Sequence, residues 1–358
     1  MDATASTNHH AAVRAEHQPA VPGLPRTARA PWLARGRAVR LNGDGSSHPS
    51  AFPVLLARRV SVAIAGGVIA VQLLVPGGWG GSAWIVLVAG LLVGLPHGAV
   101  DHLVPTWAGA QLAATRQAAV LFAYAATALA AFLLLRAAPL PGVVVFVLVS
   151  GLHFGAGEVQ LAGLRTGRRV TRWMAVAAYG GATAVLPLVR WPQQVAPVLS
   201  ALVPGTTGVL PGPLCRAALV AVVGLVAVTV VRQLRDGQLR DGAELMQLTT
   251  MFLLVPPLAA FGAYFGGWHA VRHLARMLSL EPANTADLCA GRLRAPLGRF
   301  TRAALVPTLA SLLVLGALWT SASGWQGFAA SDLALLAGLT VPHVLAVGWL
   351  DRRLRRAA

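Results

Sequence analysis

The chain contains no lysine: every one of its 29 basic residues is arginine. Without a lysine amine there is no Schiff base, which excludes retinal-binding rhodopsins and pyridoxal-phosphate enzymes, and without its ammonium there is no Walker-type phosphate loop. Cysteine is nearly absent as well. Cys215 and Cys289 stand 74 residues apart with no CxxC spacing, so neither a disulfide framework nor a zinc knuckle is available. Charge is scarce, at 11% of residues with only 12 acids, whereas a soluble globular domain carries about a quarter.

Apolar residues fill the space, at 56% of the chain with a mean hydropathy of +0.65. From about residue 58 onward they form runs long enough to cross a hydrocarbon core, which takes roughly 20 residues of helix. We place spans near 60–78, 82–104, 117–136, 139–161, 173–190, 213–231, 245–261, 263–277, 303–322 and 329–350. The pair between 245 and 277 is interrupted by Pro256-Pro257 and by Gly262, Gly266 and Gly267. It is therefore one kinked helix, two helices or a re-entrant hairpin. Residues 191–212 hold four prolines and no charge and read as an external loop with a short interfacial helix. The fold class is thus all-α, a polytopic transmembrane bundle of about 8–10 spans. No 20 to 50 residue period supports a repeat architecture.

Ahead of the bundle, residues 1–57 are rich in Ala, Pro, Arg and Ser and have no apolar stretch after the initiator. They read as a disordered cytoplasmic tail and not as a signal peptide, leaving residues 58–358 as an integral membrane catalytic domain. Four histidines, His9, His10, His17 and His48, fall in the tail as solvated polar residues or an adventitious metal-binding stretch.

The net charge of +17 does not point to nucleic acid, because the arginines cluster between apolar runs and not along one helical face. Placing the tail with Arg58 and Arg59, Arg116, the Arg165 to Arg172 loop, the Arg232 to Arg240 loop, the Arg292 to Arg302 segment and the Arg352 to Arg356 end on one side leaves little basic charge opposite, Arg136 and Arg190 among it. Basic loops face the cytoplasm, so both termini are expected inside, beside the anionic leaflet.

The remaining six histidines, His97, His102, His153, His269, His273 and His343, all fall within or at the edge of apolar spans. An ionisable residue in a membrane marks a functional site by default, although any one of them alone is equally well a packed structural histidine. Under the orientation above, their four spans all run inward. His97 is the sixteenth residue of its span, and His153 and His343 are each the fifteenth of theirs. At about 1.5 Å per residue these three share one slab, slightly cytoplasmic of the midplane. His269 and His273, four residues apart, project from one helix face and can reach one ion. Asp101, one turn after His97, either orients an imidazole tautomer from behind or pairs with Arg272 or Arg276. His102 lies one residue further, at the edge, and ranks below His97. Glu158 is either a partner behind the site or a helix-end charge facing the loop arginines.

Imidazole donors suit Zn, Cu, Fe and Ni, and an open position on Fe(II) permits dioxygen chemistry. Small residues beside each histidine let helices approach closely or leave room for a substrate. In such surroundings that substrate is long and apolar. Of the nearby aromatics, Tyr264, Phe265 and Trp268 are set apart from ordinary core and interfacial packing. Tyr264 and Asp101 are the candidate catalytic side chains.

In this order along the chain, Pro96-His97-Gly98-Ala99-Val100-Asp101-His102, His153-Phe154-Gly155, Tyr264-Phe265-Gly266-Gly267-Trp268-His269-Ala270-Val271-Arg272-His273 and Pro342-His343 resemble the Brp/Blh-type bacterial β-carotene 15,15′-dioxygenases, the bacteriorhodopsin-related proteins. The tail lies outside the resemblance. It implies an Fe(II)-dependent oxygenase of the bacterial inner membrane that splits the central double bond of β-carotene with O2 into two molecules of all-trans-retinal, in supply of a microbial rhodopsin. Carried over by motif, His97, His153, His269 and His273 are the iron ligands. Asp101, His102, Arg272 and His343 match motif positions without an implied ligand role, and the depth argument leaves His343 open as a fifth ligand.

Two other classes compete. Desaturase- or hydroxylase-like oxidases carry clustered HxxxH and HxxHH boxes, and here only His269/His273 has such spacing. A non-enzyme, either a bis-histidine haem protein or a metal transporter, is the third; a transport path calls for intramembrane carboxylates, and beyond Asp101 and Glu158 the span interiors have almost none.

Overall fold

The computed structural model describes residues 52–357 apart from positions 76, 78, 108–112, 162–168 and 323–324. Residues 1–51 of the expected tail, with its four histidines, and Arg165 and Arg168 lie outside the described residues. All regular structure among the described residues is helical. Helix α1 (Phe52–Leu74) is followed by α2 (Ser82–Gly94), two 3-10 turns (Leu95–His97 and Asp101–Leu103) and the short α3 (Val104–Trp107). Then come α4 (Ala114–Ala137), α5 (Pro139–Leu161), α6 (Arg169–Gly180) running through a π-helical segment into α7 (Leu186–Arg190), α8 (Pro192–Leu202) and α9 (Gly212–Arg235). The chain ends with α10 (Leu239–Leu254), α11 (Pro257–Gly262) continuing through a π segment (Ala263–Ala270) into α12 (Val271–Leu280), a 3-10 turn with α13 (Thr285–Cys289), α14 (Arg294–Ser321) and α15 (Trp325–Ala357). Residues 52–57, expected in the tail, are the first turns of α1.

Seven of these runs are long and apolar enough to cross a membrane, among them Ser82–Trp107, Pro139–Leu161 and Leu333–Leu354. The helical runs 169–190, 239–254 and 257–280 pack among them. Large apolar side chains such as Leu121, Phe122, Leu133 and Leu134 of α4 and Leu305, Val306 and Leu313 of α14 stay on the outside. Apolar surface on that scale is stable against hydrocarbon and not against water. The chain is an integral membrane protein.

Two boundaries differ from the sequence expectation. The spans drawn at 245–261 and 263–277 divide at the Pro256-Pro257 interruption and not at residue 262: the extended backbone of Val255 and Pro256 separates α10 from α11. The glycines at 262, 266 and 267 do not interrupt the helix, because they serve close packing. A Cβ on Gly90 of α2 would fall on the backbone of Gly262, and one on Gly266 would lie 2.7 Å from the Gly90 Cα. Small residues are how membrane helices come within backbone contact. The second difference is in 82–104, read as one span. Pro96, which has no N–H to donate, ends the α-helix at Gly94, and irregular backbone at this depth is tolerated because protein surrounds it.

The buried core falls into two main clusters. One is built on Tyr179, Leu245, Phe252, Tyr264 and Trp268, the other on Val100, Met277, Phe300 and Leu350. Residues around the histidines contribute to both.

Candidate metal centre

His97 sits on the 3-10 turn that Pro96 imposes. Its Nδ1–H donates to the Gly94 carbonyl, which leaves Nε2 as the free lone pair. His153 comes from α5, His269 from the π segment, His273 from α12 and His343 from α15 just after Pro342. All five are 5–7% exposed. The His97 ring lies 5.2 Å from that of His269, 5.4 Å from His273 and 5.0 Å from His343; His153 lies 5.1 Å from His269 and 4.8 Å from His343. His273 completes the set at 5.2 Å from His343, with its ring nearly parallel to that of His269 at 6.2 Å. Donor atoms of His97, His269 and His343 fall within 4.8 Å of one another, as do those of Asp101, His273 and His343.

The π segment helps to put His269 here. It adds a residue to a helical turn, a local irregularity that recurs at functional sites. On the neighbouring stripe of the same helix, Trp268 and Arg272 face the other way into a buried ionic network. Arg272 Nη1 donates to Glu158 at 2.8 Å and to Glu244 at 3.0 Å, and its Nε donates to Ser61 Oγ at 2.8 Å. Its guanidinium covers the Trp268 ring at 3.8 Å, while Trp268 Nε1 donates to the other oxygen of Glu158. Arg58 continues the chain to Glu244 and Asp241, and the Asp241 carbonyl accepts Tyr179 OH at 2.9 Å. Trp268 and Arg272 thus fix the rotation of the helix that carries His269 and His273.

Asp101 pairs with neither Arg272 nor Arg276, one of the two readings its sequence position allowed. Its Oδ2 accepts Tyr124 OH at 3.0 Å and the His343 Nδ1 at 2.7 Å. Arg276 instead pairs with Asp351. Glu158 faces Trp268 and Arg272 inside the bundle. Tyr264 is fully buried, with its ring 5.2 Å from Phe154 and 6.1 Å from His269. Phe154 packs edge-on to His269 at 4.8 Å and Phe265 to His97 at 5.5 Å. His102 is half-buried and belongs to neither group of converging donor atoms. Sequence reading passed over Tyr124, Ser61, Asp241 and Glu244. Of these, Asp241 and Glu244 carry a usable signal, two acids one turn apart leading into an apolar run, while an isolated Tyr or Ser in a span carries none.

A family model described as "Beta-carotene 15,15'-dioxygenase" matches residues 88–351, which include all five histidines. This chain belongs to the beta-carotene 15,15′-dioxygenase family. A relative named "Probable beta-carotene 15,15'-dioxygenase Blh" from Halobacterium salinarum is 33% identical over 294 residues, covering 74% of this chain and 84% of its own. The beta-carotene 15,15′-dioxygenase of an uncultured marine bacterium is 27% identical over 278 residues, covering 75% and 94%. The Halobacterium salinarum protein named "Probable beta-carotene 15,15'-dioxygenase Brp" is 29% identical over 306 residues, covering 76% and 84%. No solved structure matches the chain. The family is one of enzymes, and the histidine cluster lies wholly within its matched region.

Proposed function

We propose that this chain cleaves the central 15,15′ double bond of β-carotene with O2, giving two molecules of all-trans-retinal, at a non-haem Fe(II) held by His97, His153, His269 and His273 in the inner membrane of a bacterial cell. The observation that carries the reading is the convergence of buried imidazoles inside an apolar helix bundle of this family. The donor set fits the ion: His273 Nε2 is buried with no hydrogen-bond partner among the described residues, His97 Nε2 is freed by the Gly94 carbonyl, and imidazole nitrogen is a natural donor to Fe(II). Ring centroids of about 5 Å in several directions leave no room for a haem macrocycle between them, which favours a non-haem centre over the bis-histidine alternative. The bound ion would supply the activation of dioxygen.

The protein's own share is positional. β-Carotene is a hydrocarbon, so it offers no group for a hydrogen bond and must be held by shape. Phe154, Tyr264 and Phe265, packed around His269 and His97, are the side chains nearest the site that can grip a polyene. Fixing which double bond lies over the histidines sets the regiospecificity through proximity and orientation. Cleavage gives each of the two central carbons one oxygen atom of O2, so the reaction balances without an added reductant. Asp101 acts through His343 and Tyr264 contributes shape through its ring; no protein nucleophile takes part.

Expression in a β-carotene-accumulating bacterium tests this directly. Bleaching with retinal as the sole C20 product, lost without oxygen or with a ferrous chelator, is the expected result. Long apocarotenals, undiminished turnover without oxygen, or a Soret band in the purified protein would overturn it.

A further inference from the structure

The histidine whose sequence context is weakest meets three of the other four. His343 lies beside His97, His153 and His273 at 4.8–5.2 Å between ring centroids. Its position is built by a helix contact. Gly338, five residues earlier on α15, meets α4 so closely that a Cβ there would sit 2.8 Å from the Ala128 carbonyl oxygen. That contact brings His343 opposite Tyr124, one turn from Ala128 on α4, and opposite Asp101 on the 3-10 turn after α2. Three elements therefore meet around a single imidazole.

The hydrogen bonds there determine its tautomer. Asp101 Oδ2 accepts both Tyr124 OH and His343 Nδ1. A carboxylate can only accept, so the His343 proton is on Nδ1 and Nε2 carries a lone pair. That Nε2 lies 3.2 Å from His153 Nε2. Two nitrogens bound at right angles to one metal ion at about 2.1 Å stand about 3 Å apart, so the spacing is that of neighbouring ligands on a shared cation. Its donor atom also groups with those of His97 and His269 within 4.8 Å.

We propose that His343 is a fifth imidazole of the metal shell, set in its Nδ1-protonated form by Asp101, which Tyr124 in turn orients. A carboxylate behind a metal-bound imidazole fixes the ring and raises its basicity, and loss of such a partner usually weakens metal binding 10–100-fold. Asp101 and Tyr124 are thus positioning residues. The inference rests on the iron reading above, and the two fail differently.

The test uses the full chain, purified in detergent without oxygen and loaded with Fe(II) or with Co(II) as a spectroscopic probe. Wild type should bind one ion per chain with five imidazole scatterers by X-ray absorption. H343A should bind at least about 10-fold more weakly with four scatterers, and H343G should recover the fifth when imidazole is added. D101N should keep five scatterers but bind about 10–100-fold more weakly; Y124F should shift the Co(II) absorption bands with a smaller loss. An H343A protein with wild-type affinity and scatterer count overturns the fifth ligand alone. If H343A does not accumulate, D101N decides: wild-type affinity with unchanged Co(II) bands overturns the proposal. A wild-type chain that takes up no metal overturns the iron reading and the fifth ligand with it.

Discussion

At the scale of single residues, the site joins side chains of two kinds. His97 keeps its Nε2 lone pair by donating Nδ1–H to the Gly94 carbonyl, His273 Nε2 is buried with no hydrogen-bond partner among the described residues, and His153 Nε2 faces Nε2 of His343 at 3.2 Å; Asp101 and Tyr124 stand behind His343. Replacing any of His97, His153, His269 and His273 by Ala should remove iron and turnover together, each by about 100-fold or more, since even partners behind the ligands cost 10–100-fold. Iron per chain and retinal formed, measured on the same preparations, check this. His102→Ala should retain both within about 3-fold, since His102 is half-buried and takes no part in the ring contacts that join the other five histidines; a ligand's loss is larger by the same reasoning. Much of this set was legible in the sequence, because an imidazole inside an apolar span is conspicuous and equal depth can be counted residue by residue. The Asp101 partnership was not, since it depends on Tyr124 of α4 and His343 of α15, 23 and 242 residues away, and no spacing rule links them.

The elements explain why the donors converge. Four α-helical spans at equal depth would bring histidines to one level without aiming them at one point. Pro96 breaks α2 so that His97 turns inward, and the π segment together with the Trp268 and Arg272 anchors sets the rotation of His269 and His273. Neither the turn nor the π segment has a periodic signature. Gly262, Gly266 and Gly267 look like helix breakers in sequence, and only their partner helices show them to be contact points, α2 for Gly262 and Gly266 and Ile64 of α1 for Gly267. The Arg272 network is the critical anchor. Arg272→Met would leave Glu158 and Glu244 buried without their shared cation, and removing one member of a buried ion network costs about 3–5 kcal/mol. The apparent unfolding temperature in detergent should fall accordingly and iron retention with it. The double variant R272M/E158Q should lose less than the two single changes added together, and additive losses would show that the groups do not act as a unit.

Across the whole molecule, the arginine distribution assigns an orientation. Cysteine placed at position 236, in the turn between α9 and α10, should be shielded from an impermeant reagent in intact cells. Cysteine at position 205, between α8 and α9, should react, in a chain whose exposed Cys289 and buried Cys215 are first replaced. The reverse pattern would invert the topology. Seven of the ten expected spans were readable because apolar length alone decides them, and prolines signalled both the short helix α8 and the break at Pro256.

His343 lies on α15, which follows every other element that carries a histidine of the site. A ribosome that has released every residue up to the end of α14 has already delivered His97, His153, His269 and His273 to the membrane, yet the α4 groove that receives Gly338 is still empty. With His343 as the fifth ligand, the centre closes only once α15 has been inserted and packs against α4. A chain without α15 would hold its ion loosely, so tight retention of metal reports that α15 has docked.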